Sequence, residues 1–171
     1  MKSERITAPE LFHKAGSELP LSGSALLELV KAILDRDVPV RFRAVGSSME
    51  PFIRSGDVIT VAPLHKQRAR IGEVVAFIHP ENGKLVVHRV VAKKDDAFFI
   101  QGDSDHNFAD GLVPKENLIG NVRQLWREGR KVRLGLGPER LLIAFFSRRG
   151  WLISLRNRLV LLKRFFTGSR N

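Results

Sequence analysis

From Val40 onward the chain is a succession of short β-branched and aromatic runs with no helical period between them. Residues 40–44 alternate apolar and basic side chains, and apolar runs follow at 58–62, 74–78, 85–91, 98–100, 118–125 and 131–134, each bounded by Gly, Pro, Asn or Asp. Runs of this length suit pleated, half-buried strands. Parallel strands need long crossovers, usually helices, and the spacing leaves no room for them. The pattern predicts a mainly β protein, with an antiparallel, barrel-like core over residues 39–135.

Both flanks read differently. Within residues 1–38, Ser22 or Ser24 can cap a helix in which Leu26, Leu27, Val30, Ile33 and Leu34 share one face. That helix ends near Asp35-Arg36-Asp37, before Val38-Pro39, and is expected to cover an open face of the core. With the weak element between Pro9 and Lys14 it is too short for a DNA-reading helix-turn-helix. Residues 136–171 form the third expected unit, a basic amphipathic helical tail.

Charge sharpens that last expectation. The chain carries a formal charge of +11, and from Pro138 to Asn171 eight Lys or Arg face Glu139 alone, so +7 of it sits in the tail. Leu141 to Phe146 are apolar, and Trp151, Leu155, Leu159, Leu162 and Phe166 recur at helical spacing, with Arg158 interrupting the face. A helix of this kind can lie in a bilayer interface, where each basic residue near anionic lipid adds about 1 kcal/mol. Packing on the domain is the plainer use, and phosphate binding a third, although no recognisable nucleic-acid motif accompanies the stripe. The longest run free of Asp, Glu, Lys and Arg is nine residues, Leu19 to Leu27, against the roughly twenty a spanning helix needs. The stretch MKSERITAPELF also lacks the apolar core of an export signal. There is no Cys, so neither disulfides nor thiolate-bound metals enter.

The chemistry is concentrated in three boxes. GSSMEPFIRSGD places Ser48 between glycine and proline, VVHRVV carries His88, and QGDSDHNFAD carries Asp103, Asp105 and Asp110. Ser48 alone reads as a turn residue. A nucleophilic hydroxyl needs a base to take its proton, and the base works best when a third group holds its tautomer. Ser48, His88 and an Asp supply those roles in principle.

In this order the boxes resemble the serine, His-Arg and Gly-Asp boxes of the signal peptidase I clan, which also contains the self-cleaving SOS repressors. The resemblance spans residues 45–122. The clan divides by its base, Lys in bacterial signal peptidases and SOS repressors, His in the archaeal and endoplasmic-reticulum type. His88 aligns this chain with the second branch. The resemblance implies a serine endopeptidase that removes leader peptides from exported precursors without a cofactor, and the basic tail, rather than the amino-terminal anchor usual in the family, is expected to make it a peripheral membrane protein. Ser48 would attack, His88 would serve as base, Asp110 would orient the imidazole and Asp103 would support the site. Relatives also place a hydroxyl residue two positions before the nucleophile, where this chain has Gly46.

The remaining candidates read blandly. Asp57 closes a turn, and Lys84, a rival base four residues before His88, reads as a solvated strand-entry lysine. His13, His65, His79 and His106 lack metal-ligand spacing and read as surface or turn residues. Two other functions remain open: a self-cleaving regulator cut at Ala15-Gly16, a dipeptide like the one SOS repressors cut, and a non-catalytic module that keeps the fold and docks on lipid. The oligomeric state is not legible.

Overall fold

The computed structural model describes residues 23–64, 69–104 and 109–148. His13, His65, Asp105, His106, the Ala15-Gly16 bond and the tail beyond Arg148 lie outside the described residues.

Helix α1 spans Gly23–Leu34 and turns Val30 and Leu34 into the core. Its end is a Schellman motif: Val38 N–H reaches Ile33 O at 3.3 Å and Asp37 N–H reaches Leu34 O at 3.0 Å. Asp37 takes the left-handed position, at φ 63°, which aspartate tolerates better than most residues.

Eight strands follow: β1 Val40–Arg43, β2 Val58–Pro63, β3 Val74–Ile78, β4 Leu85–Lys94, β5 Ala97–Gln101, β6 Ala109–Pro114, β7 Leu118–Arg127 and β8 Arg130–Val132, with a 3₁₀ turn at Lys115–Asn117. They form one antiparallel sheet in the order β1-β2-β7-β3-β4-β5-β6, with β8 paired to β7. The path is open: β1 and β6 end it without pairing to one another.

Strand β6 is absent from the sequence expectation. It holds Gly111 and Pro114 and, among the described residues, pairs only with β5, and an edge strand tolerates residues that a central strand excludes. By contrast β3, between β7 and β4, is apolar throughout and buried on both faces. Val74 and Ala76 enter one core cluster with α1, β1, β2 and β7, while Val75 and Phe77 enter the other with β4, β5, β6 and Leu118 of β7. The two-residue period of one strand thereby holds both cores together.

Helix α2, Arg140–Arg148, packs on β4 through Ile143, Ala144 and Ser147. The larger Leu141, Leu142 and Phe145 point away and are 57%, 63% and 46% exposed. No described helix is long and apolar enough to cross a membrane.

Candidate active site

The serine box forms the turn between β1 and β2. Glu50 N–H bonds Ser47 O at 3.1 Å and Ile53 N–H bonds Met49 O at 3.0 Å, while Met49 and Ile53 are buried in the α1-side core and anchor the turn. Ser104 N–H donates to Ser48 O at 2.9 Å, tying the Gly-Asp box to the serine. The Ser48 N–H has no backbone acceptor among the described residues. Gly46 sits at φ 102°. A hydroxyl residue would be strained there, a physical reason for the glycine.

Below this turn, β4 presents His88 opposite Val75 of β3. Ser48 Oγ lies 2.7 Å from His88 Nε2, and His88 Nδ1 lies 2.5 Å from Asp110 Oδ2. With Nδ1–H donated to the carboxylate, Nε2 is left to accept the serine hydroxyl. The His88 and Asp110 side chains are only 7% and 8% exposed, so water competes little for either contact.

A bulge brings Asp110 to that place. Ile100 pairs with Gly111 and Gln101 with Ala109, so Asp110 is the extra residue of β6. Bulges re-aim a side chain, and Gly111 supplies the positive φ of 73° beside it.

Asp103 does a different job. Arg89 Nε and Nη2 donate to its two oxygens at 2.8 and 2.7 Å, and Ser147 Oγ of α2 donates to Oδ1 at 3.2 Å. Arg89 Nη1 donates to Gly72 O and Gly135 O at 2.7 and 2.9 Å, and its guanidinium lies 5.6 Å from the centre of the Phe52 ring. Arg89 is fully buried, so this pair is a strut under the serine turn, pinning β4, the Gly-Asp box and α2 together. It does not engage the imidazole: Asp103 meets Arg89 and Ser147, while Asp110 meets His88.

Asp57 closes its turn by accepting from Arg54 N–H at 2.8 Å, and it also receives Arg127 Nε and Nη2 at 2.8 and 2.7 Å. Burial pushes its carboxyl up, but the bonds from Arg127 and Arg54 outweigh it and hold the group below its ordinary value. Before α2, the bond from its own backbone N–H, together with those it accepts from Gly135 and Gly137 N–H, holds Glu139 below its ordinary value against the upward push of burial.

Lys84 stands exposed on the hairpin joining β3 to β4, its N–H on Asn82 Oδ1. His79 opens the same hairpin as a turn residue, and its Nε2 also lies 3.7 Å from Asp110 Oδ1. Register across the hairpin was the missing signal, because once Ile78 pairs with Leu85, His79 falls at the mouth of the strand that carries His88.

These groups open onto a groove of about 1080 Å³. Leu26 and Leu27 of α1, Phe42 to Val45 at the end of β1 and just beyond it, and Leu85 to Val87 of β4 line it beside Ser48 and His88. A hydroxyl bonded to an imidazole that is bonded to a carboxylate, beside an apolar groove on a β scaffold, defines the class: a peptidase-type hydrolase. The chain belongs to the Peptidase S24-like family, whose model matches residues 26–123, over half of the chain and all three boxes. That family lies in the clan the boxes resemble. No curated protein sequence matches the chain.

Proposed function

We propose that this protein is a serine endopeptidase of the His-using branch of the signal peptidase I clan, cutting leader peptides from exported precursors. The observation that carries the reading is the Ser48–His88–Asp110 chain of hydrogen bonds opening on the groove. Ser48 Oγ attacks a peptide carbonyl, His88 takes the proton and returns it to the leaving amine, and Asp110 keeps Nδ1 protonated; acid–base help of this kind contributes about 10²–10⁴-fold. The Ser48 N–H is a donor for the oxyanion. Among the described residues, β4 meets β5 only from Arg89 on, so its edge at residues 85–88 borders the groove. An extended peptide suits such an edge, which offers it main-chain hydrogen bonds.

The test is cleavage of a precursor peptide by purified protein. Ser48→Ala and His88→Ala should each abolish it, and undiminished turnover in either would sink the assignment.

Self-cleavage is the second reading, favoured by one observation: Gly23 and Ser24, where the chain enters α1, line the same groove as Ser48. It predicts a fragment of about 15 residues on incubation, from Ala15-Gly16 scission, which at ~3.3–3.6 Å per residue lies within reach of the groove. An intact mass that stays constant would count against it.

Peripheral attachment to an anionic membrane completes the proposal. It is supported by the outward Leu141, Leu142 and Phe145 and by the basic tail. Co-sedimentation with anionic vesicles should weaken with salt and with Leu141→Glu/Leu142→Glu. Equal binding by that variant would place the contact elsewhere, and vesicle binding without turnover would favour the non-catalytic module.

A further inference from the structure

Asp110 faces two imidazoles. His88 takes Oδ2, and on the other side the ring of His79 turns Nε2 toward Oδ1 at 3.7 Å. Its orientation is set by the hairpin: Glu81 N–H donates to His79 Nδ1 at 3.2 Å, while His79 N–H bonds Lys84 O and Gly83 N–H bonds His79 O, both at 2.9 Å. A ring nitrogen that accepts from a backbone N–H holds no proton, so neutral His79 carries its proton on Nε2, the atom turned to Asp110. Phe77, fully buried, stands behind both rings with centroids 6.4 Å from each, so neither imidazole can retreat into the core.

We propose that His79 is a positioning residue for the triad. Its Nε2–H holds the second oxygen of Asp110, fixing the carboxylate rotation that keeps Oδ2 on His88. The need is local: Asp110 stands on a bulge of an edge strand, where the ladder holds the backbone less firmly than in the sheet centre. At 3.7 Å the N–H and the carboxylate stand just beyond hydrogen-bond length and attract as dipole and charge, and catalytic contacts in the free enzyme commonly tighten when substrate enters. His79 also lines the groove, so bound peptide would press on the hairpin that carries it. The inference rests on the serine-peptidase reading for its consequence, though not for its geometry.

The experiment combines two readouts on the full chain. Imidazole ¹⁵N–¹H correlation spectra should show neutral His79 protonated on Nε2 and His88 on Nδ1. His79→Leu should broaden the His88 Nδ1–H resonance and speed its exchange with solvent, and His79→Gln, which keeps an N–H donor, should restore it. In parallel, labelling by a fluorophosphonate should lose up to about 100-fold in maximal rate in His79→Leu, as expected when a catalytic group is misplaced by about an ångström. The probe concentration at half-maximal rate should move little, and His79→Gln should recover most of the loss. Wild-type His79 protonated on Nδ1, or an unchanged His88 resonance in His79→Leu, overturns the proposal. Failure of wild type to label would instead overturn the peptidase reading, and the spectra would still decide the role of His79.

Discussion

Two aspartates seven residues apart in one box carry opposite duties, and the difference lies in their partners. Asp110 meets an imidazole at the edge of the groove, whereas Asp103 is consumed by a buried arginine. Asp110→Asn should therefore preserve the fold and slow fluorophosphonate labelling by about 10⁴-fold, the cost of leaving a triad histidine in the wrong tautomer. Asp103→Ala should do the reverse first, lowering stability by about 3–5 kcal/mol in urea melts, because Arg89 would be left as an unpaired buried charge. Equal stability losses in the two variants would refute the division of labour. Asp57 adds a pH signature. Its folded-state value lies below the ordinary 3.8, so its contribution is complete above that value and disappears as pH falls through the lowered one. Urea midpoints followed downward from pH 5 should fall less steeply in Asp57→Asn than in wild type.

At the scale of elements, the site depends on irregularities more than on regular structure. The bulge at Asp110 turns one side chain toward β4, and the Schellman end of α1 delivers the chain into β1. Gly111→Val would force a β-branched residue to φ 73°, at a cost of about 1–2 kcal/mol. It should also reduce probe labelling beyond what that loss of stability explains, as the bulge relaxes and Asp110 moves off His88. Labelling at the wild-type rate would show that the bulge does not aim the carboxylate. Strands with β-branched runs, such as β3 and β4, were legible in the sequence because burial demands them. Strand β6 was not, since its place comes from an open edge of β5 rather than from its own residues. Helix α2 has the expected helical character, and the face that packs is Ile143, Ala144 and Ser147, set by closeness to β4 and by the Ser147 bond to Asp103.

Across the whole molecule, β3 and β7 each contribute to both core clusters, so neither cluster can be lost alone. Phe77→Ala, in the second cluster, should cost about 3–5 kcal/mol and should lower the midpoint seen by α1 helicity as much as that seen by near-ultraviolet signals. Separate transitions for the two signals would show that the cores are independent. The same layout sets the limit of what the chain reveals unfolded. Local pattern determined the mainly β character, the helix before it and the three boxes in order, because β-branched periodicity, turn residues and chemical type are properties of neighbours in sequence. How Asp110 is aimed at the imidazole, what Arg89 holds and why His79 stands beside the triad were decided by tertiary structure alone. They depend on strand register and on one bulged residue, and these are settled only when strands distant in sequence compete to bury the same two faces.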